Sequence, residues 1–123
     1  MAERSFAGVL GKPISHSLSP VLHLAAYQVL GIDWDYRRIE LESDDLAPYL
    51  QSAGAQAMGF SVTMPLKHRA FEIATVSDPA ALATTACNTL VRDGDSWRGY
   101  NTDVPGFLEP LQPLLRSEEH TSE

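Results

Sequence analysis

Cysteine, basic side chains and long apolar runs are all scarce in this sequence. The 123 residues include a single cysteine, Cys87, so the chain cannot form an internal disulfide, which is typical of a reducing compartment. Nine Lys and Arg against 16 Asp and Glu give a formal net charge of −7, and no basic cluster is present to neutralise nucleic-acid phosphates. No apolar run approaches the roughly 18 residues that span a membrane, and the N-terminus has no apolar stretch of the kind found in secretory signals. We therefore expect a cytoplasmic protein with no nucleic-acid or membrane partner.

The sequence also lacks the usual signatures of a metal or dinucleotide site. His16, His23 and His68 show no metal-ligand spacing with one another, with Cys87 or with carboxylates. The glycine-rich G-x-G-x-x-G turn that cradles a pyrophosphate does not occur at any position. We expect neither a metal nor a bound cofactor in this chain. We interpret Cys87 as a buried packing residue, since nothing near it in the sequence would stabilise a thiolate.

Strand-like and helix-like segments alternate through the first half of the chain. Apolar and β-branched runs predict strands at 6–11, 34–41 and 57–63. Segments 19–31 and 43–54 each begin with a capping serine and end with a glycine, which predicts helices between those strands. This alternation is typical of βαβ units in a mainly parallel sheet.

The pattern changes in the second half of the chain. A third helix is predicted to begin at Pro65, where the missing N–H of proline costs nothing, and a short capped helix follows at 77–82. Two strand-like runs then flank Asp93-Gly94, a strong signal for a tight hairpin turn. We predict a three-layer α/β domain over residues 1–115. Its mixed, mostly parallel sheet is flanked by helices and carries an antiparallel hairpin near the C-terminal end.

Polar side chains follow several of the predicted strands. They are Ser17 and Ser19 after the first strand, Thr63 and Lys67 after the third, Asn88 in the hairpin, and Asn101 and Asp103 after it. Because ligands of open α/β sheets bind outside the carboxyl ends of parallel strands, these groups predict a site for a small polyhydroxylated acid. Each residue also has a structural interpretation. Serine, threonine and aspartate cap helices, asparagine is common in turns, and most lysines are solvated surface residues.

Lys67 stands out because of where it falls in the predicted helix. It lies in the first turn, the end at which the helix dipole favours anions rather than cations. Such a placement is unfavourable unless a carboxylate partner or a function compensates for it.

Four motifs of the sequence occur together and in a recognisable order. GKPISHSLSPVLH, SVTMPLK, CNTL and YNTDVPG, found between residues 6 and 108, resemble the ordered motifs of shikimate dehydrogenases. The resemblance implies an oxidoreductase that reduces 3-dehydroshikimate to shikimate with NADP(H), in the chorismate route to aromatic amino acids. It also implies that this chain is the N-terminal substrate-binding domain, without the C-terminal NADP-binding domain. We therefore expect the fragment alone to be inactive and to bind no NADP(H).

The resemblance assigns roles to six residues. Ser17 and Ser19 would bind the substrate carboxylate, and Thr63, Asn88 and Asp103 the ring hydroxyls. Lys67 would lie beside the reacting oxygen, and Lys67 with Asp103 would form the catalytic dyad. Asp103 would then be the carboxylate that compensates for the position of Lys67.

Two positions depart from the family pattern, and three other functions stay open. Ser61 stands where the family commonly has asparagine, and Thr85 where it usually has glycine. The presence of serine at both position 17 and position 19 resembles the pattern of shikimate enzymes rather than that of quinate enzymes. The alternatives are a quinate/shikimate dehydrogenase, a non-catalytic shikimate-binding module, and a purely structural domain. The sequence also leaves a homodimer open.

The last eight residues, RSEEHTSE at 116–123, have no apolar period and no evident reason to pack. They can be encoded by AGATCGGAAGAGCACACGTCTGAA, which resembles a common sequencing-library adapter. Our hypothesis is a disordered, non-native tail after Leu115; the alternative is an ordinary polar tail. Authentic coding sequence in the source DNA at these positions would reject the hypothesis.

Overall fold

The computed structural model describes residues 4–14 and 29–103, and these form a six-stranded sheet with helices packed against it. The strands are β1 (Phe6–Gly11), β2 (Asp35–Glu40), β3 (Ala57–Val62), β4 (Val76–Ser77), β5 (Thr89–Asp93) and β6 (Ser96–Tyr100). The helices are α1 (Ser43–Ser52), α2 (Lys67–Ile73) and α3 (Pro79–Thr84).

The strand order across the sheet is β2-β1-β3-β5-β6-β4. Strand β1 pairs in parallel with β2 and β3, and β4 pairs in parallel with β6. Strand β5 is antiparallel to both β3 and β6, so β5 and β6 form the predicted hairpin. The predicted α/β class, with a mixed and mostly parallel sheet, is confirmed.

The main hydrophobic core lies between one face of the sheet and the three helices. Phe60, Leu90 and Trp97 contribute from the strands, and the ring centroids of Phe60 and Trp97 are 5.5 Å apart. The helices contribute Leu46, Leu50, Ala70 and Ala81, all buried. Burying side chains of this size stabilises a fold by roughly 1.5–3 kcal/mol for each large apolar residue. Cys87 belongs to this core and is fully buried, as the sequence predicts.

The helix after β3 begins two residues later than the sequence predicts. Pro65 lies in a turn that is closed by a hydrogen bond of 3.0 Å from the Leu66 N–H to the Thr63 carbonyl. Leu66 is fully buried and occupies the N-cap position, so the prediction of a helix starting at Pro65 is wrong, as is a capping role for Thr63. Lys67 is nevertheless the first residue of α2 and therefore lies in the first turn.

Two further details differ from the prediction. The N-cap of α1 is Glu42 rather than Ser43, and the Asp45 carboxylate accepts a hydrogen bond of 3.1 Å from the Glu42 N–H. Ser43 instead donates from its hydroxyl to the Pro65 carbonyl. Strand β4 was not predicted, because two residues carry no alternation and its partner β6 lies about twenty residues further along the chain.

Several predictions fall on residues that the structure does not describe. Of the helix predicted at 19–31, Val29 and Leu30 are helical and Gly31 has a φ of +72°, as expected of a closing glycine. Ser17, Ser19, His16, His23 and the segment 116–123 lie outside the described residues. In the described ranges, no helix has the length and apolar character needed to cross a membrane.

Candidate functional site

Three polar segments meet at one edge of the sheet because of the strand directions. Strand β3 ends at Val62 and β6 ends at Tyr100, whereas the antiparallel strand β5 begins at this edge. Asn88, just before β5, lies between the other two segments. Its carbonyl accepts from the Val62 N–H at 2.7 Å, and its N–H donates to the Tyr100 carbonyl at 2.9 Å. The residues after β3 and after β6 are thereby brought together.

Lys67 and Asp103 form an ion pair at this edge. The Lys67 Nζ lies 2.9 Å from the Asp103 Oδ2, although the residues are 36 positions apart in the chain. The hydrogen bond from Lys67 is the main reason why the pKa of Asp103 is lowered from its ordinary value, with a further contribution from Asn88. Both side chains are partly open to solvent, 36% for Lys67 and 59% for Asp103, so a ligand can reach the pair.

Asn88 connects the carboxylate of this pair to the backbone. Its Nδ2 donates to the Asp103 Oδ1 at 3.0 Å and to the Thr102 Oγ1 at 2.9 Å. Its Oδ1 accepts from the Thr102 N–H at 3.1 Å and from the Thr89 hydroxyl at 3.0 Å. The Asp103 carboxylate is therefore held on one oxygen by Lys67 and on the other by Asn88.

The start of α2 is attached to the loop that carries Asn88. The Cys87 N–H donates to the Lys67 carbonyl at 2.9 Å. The His68 Nδ1 lies 3.0 Å from the Thr85 carbonyl, and since a carbonyl only accepts, this nitrogen is assigned the proton. His68 is a surface residue that joins two segments of the site.

Thr63 follows β3 at the same edge and is half-buried. Its N–H donates to the Leu10 carbonyl at 2.9 Å, next to the end of β1. A Cβ at Gly11 would overlap the Thr63 side chain, so glycine is required for this close approach of β1 and β3. The structure thus brings Lys67, Asn88 and Asp103 into contact and places Thr63 at the same edge.

The two positions that depart from the family pattern have distinct surroundings. Thr85 ends α3 with a φ of +54° and a ψ of +34°, a left-handed conformation that favours glycine. Ser61 accepts a hydrogen bond of 3.2 Å from the hydroxyl of the buried Tyr36.

Thr102 was not among the predicted site residues, and Asn101 was predicted only as one of the polar residues after the hairpin, without a role of its own. Thr102 contacts Asn88 through its backbone and its hydroxyl. The Asn101 side-chain oxygen accepts from the Asp103 N–H at 2.9 Å. The signal was present in the Asn-Thr-Asp spacing, because asparagine readily bonds the backbone N–H two residues on. In the described part of the chain, no group of three or more His, Cys, Asp or Glu residues is arranged to hold a metal.

Residues 9–90 match the family model of the shikimate dehydrogenase substrate-binding domain. The chain belongs to this family. A shikimate dehydrogenase (NADP+) of Synechocystis is 44% identical over 108 residues, and one of Nostoc is 42% identical over 112 residues. The matches cover 87% and 90% of this chain but only 37% and 39% of the relatives. This chain therefore spans about two fifths of the length of the relatives.

Solved structures of the family have the same fold. The crystal structure of Mycobacterium tuberculosis shikimate dehydrogenase is 45% identical with a TM-score of 0.81, over 88% of this chain and 41% of that one. The Thermus thermophilus enzyme, solved with NADP(H) and shikimate, is 34% identical with a TM-score of 0.80. That alignment covers 89% of this chain and 42% of the Thermus chain.

Proposed function

We propose that this chain is the substrate-binding and catalytic part of an NADP-dependent shikimate dehydrogenase that reduces 3-dehydroshikimate to shikimate. The observation that carries the proposal is the ion pair of Lys67 and Asp103 at 2.9 Å, open to solvent at the sheet edge where α/β proteins bind ligands. Family membership and the names of the relatives support it.

In this proposal, Lys67 acts on the reacting carbonyl. Its ammonium donates a hydrogen bond to the ketone oxygen and stabilises the negative charge that develops there during reduction. Asp103 holds the ammonium in place, and it accepts a hydrogen bond from a ring hydroxyl. A donor that is already oriented before substrate binds stabilises the transition state without a reorganisation cost.

The other proposed contacts orient the substrate. Ser17 and Ser19 donate to its carboxylate, and Thr63 and Asn88 bond ring hydroxyls. Asn88 has both Nδ2 hydrogens engaged, with Asp103 and Thr102, so a substrate hydroxyl must share or replace one of these bonds.

The described residues do not fit NADP(H). A pyrophosphate binds at a glycine-rich helix N-terminus, but the first turn of α1 carries Asp44 and Asp45. The N-cap of α3 is Asp78, and the cation at the start of α2 is already paired with Asp103. We therefore assign only substrate-side groups to the described residues.

Thermal denaturation with and without millimolar shikimate tests the proposed binding. We expect shikimate to raise the melting temperature, because a ligand that binds only the folded state stabilises it. Lys67→Met should abolish the shift. Asp95→Asn, which removes an exposed carboxylate in the hairpin turn at the other end of β5 and β6, is the matched control and should keep the shift. No shift in the unmodified chain would contradict the proposal.

Activity requires a second experiment on the longer protein. In this chain joined to the cofactor domain of a relative, Lys67→Met should lower NADPH-dependent turnover by about 10²-fold or more. Comparing shikimate with quinate as substrates separates the two dehydrogenase activities. Unchanged turnover in Lys67→Met would reject a catalytic role and favour a purely structural domain.

A further inference from the structure

We propose that Asn101 is a positioning residue whose buried amide sets the backbone at Asp103 and thereby aims that carboxylate at Lys67. The inference rests on the proposed role of the Lys67–Asp103 pair. The family resemblance assigns Asn101 no contact with the substrate.

Asn101 is the buried polar residue of the described chain, with 5% of its surface exposed. Its Nδ2 donates to the Thr84 Oγ1 at 3.1 Å and to the Ala86 carbonyl at 3.2 Å, and its Oδ1 accepts from the Asp103 N–H at 2.9 Å. A buried amide holds its partners firmly, because breaking any of these bonds would leave a polar group unsatisfied at a cost of about 1–3 kcal/mol.

The orientation of the amide follows from its partners. The Ala86 carbonyl can only accept a hydrogen bond, and the Asp103 N–H can only donate one. The NH₂ group must therefore face Ala86 and the oxygen must face Asp103. No aspartate or leucine at this position could satisfy both neighbours, so the residue type as well as its place is specified.

Both ends of α3 take part in fixing Asn101. The Asp78 carboxylate caps the start of α3 through the Ala81 N–H at 2.8 Å, and the same oxygen accepts from the Asn101 N–H at 3.2 Å. Thr84 holds the Asn101 side chain at the other end of the helix. These bonds attach the backbone near Asp103 to α3 independently of the contact between Asp103 and Lys67.

This attachment matters because the Asp103 side chain is 59% exposed. An exposed carboxylate on a loosely held backbone would sample several directions, and an exposed ion pair alone contributes only about 0–1 kcal/mol to hold it. A fixed backbone limits these directions to those that reach Lys67 and Asn88. Such support of a reactive group by residues behind it is what keeps a site oriented before ligand binds.

An NMR titration of the Asp103 carboxyl carbon tests the inference in the 123-residue chain. In the unmodified chain, pairing with Lys67 keeps the pKa of Asp103 below its ordinary value. Asn101→Ala should raise this pKa toward the ordinary value. Asn101→Ser should keep it low, because serine also bonds the N–H two residues on but cannot reach Ala86.

Thr84→Val is the matched control. It removes one partner of the Asn101 Nδ2 and leaves the Oδ1 bond to Asp103 in place. We expect all three variants to melt at lower temperature, but only Asn101→Ala to change the titration of Asp103.

Two results would overturn the inference in a folded Asn101→Ala variant: an unchanged pKa of Asp103, or an equal rise in Thr84→Val. If Asn101→Ala does not fold, Asn101→Leu decides, because it also lacks an acceptor for the Asp103 N–H, and an unchanged Asp103 pKa in that variant would refute the positioning role. Failure of the proposed function would instead appear as a missing shikimate shift in the unmodified chain, with the titration results unaffected.

Discussion

Replacing Thr85 by glycine should make this domain more stable. Thr85 adopts a φ of +54° at the end of α3. In this left-handed conformation the Cβ crowds the backbone carbonyl, at a cost of about 1–2 kcal/mol, and a β-branched side chain belongs at the upper end of that range. The Thr85 side chain is exposed, and its hydroxyl bonds the adjacent Thr84 carbonyl at 2.7 Å. Water can replace that bond, so little packing is lost.

The magnitude follows from two opposing effects. Glycine removes about 2 kcal/mol of backbone strain, but its greater freedom in the unfolded chain costs up to about 1 kcal/mol. The net stabilisation should be about 1 kcal/mol. For a domain of this size, that difference corresponds to a rise of about 4 °C in melting temperature.

Urea and thermal denaturation of Thr85→Gly measure the effect, and Ala83→Gly is the matched control. Ala83 is also exposed and is the penultimate residue of α3. A glycine at this helical position should cost about 1 kcal/mol of stability. The two substitutions should therefore shift the melting temperature in opposite directions. A Thr85→Gly variant destabilised as much as Ala83→Gly would refute the argument that Thr85 is strained.

Three other substitutions test different parts of the structure. Gly99→Ala should destabilise the domain by about 1–3 kcal/mol, because the new Cβ would overlap the buried Cys87 Sγ. Adding Cys87→Ala should restore part of the lost free energy of unfolding, measured by urea denaturation. Asp78→Ala should cost about 1–2 kcal/mol through loss of the α3 cap, while Asp78→Asn, which keeps an acceptor oxygen, should cost less in the same assay. Asp103→Asn should cost no more than about 1 kcal/mol at neutral pH. The pKa of Asp103 is lowered in the folded state, so the stability that this carboxylate supplies is present above its unfolded pKa and is lost as pH falls through its folded pKa. In urea denaturation across the acid range, the free energies of unfolding of the variant and of the unmodified chain should therefore converge.

The alternation of strand-like and helix-like segments along the sequence was sufficient to predict most of the sheet. Strands β1, β2 and β3 are each six residues long, which is enough to show a pattern, and the hairpin has a local turn signal at Asp93-Gly94. Strand β4 has two residues and pairs with a distant segment, so local pattern carries no information about it. The start of α2 was misplaced because proline is equally acceptable at the first helical position and in the preceding turn.

From the strand pattern alone the site was predictable only to the level of the sheet edge, and the pairing of Lys67 with Asp103 was expected only from the family resemblance. Strand direction alone brings the residues after β3, before β5 and after β6 together. That the Lys67 ammonium meets the Asp103 carboxylate depends on side-chain reach and on the backbone geometry set by Asn101, neither of which follows from periodicity. The left-handed conformation of Thr85 was likewise not predictable, because threonine rarely adopts it.

The hairpin explains how so small a sheet gathers so many polar groups at one edge. In a purely parallel sheet, each strand delivers one segment to the carboxyl edge and returns through a helix to the opposite edge. Here β5 runs antiparallel to β3, so the residue before it and the residues after β6 both reach the edge where β3 ends. Asn88 and Asp103 are therefore neighbours at 3.0 Å, and both lie beside the start of α2. The mixed sheet thus places an amide and a carboxylate next to Lys67. In a parallel sheet with the same number of strands, a crossover connection would separate these two groups.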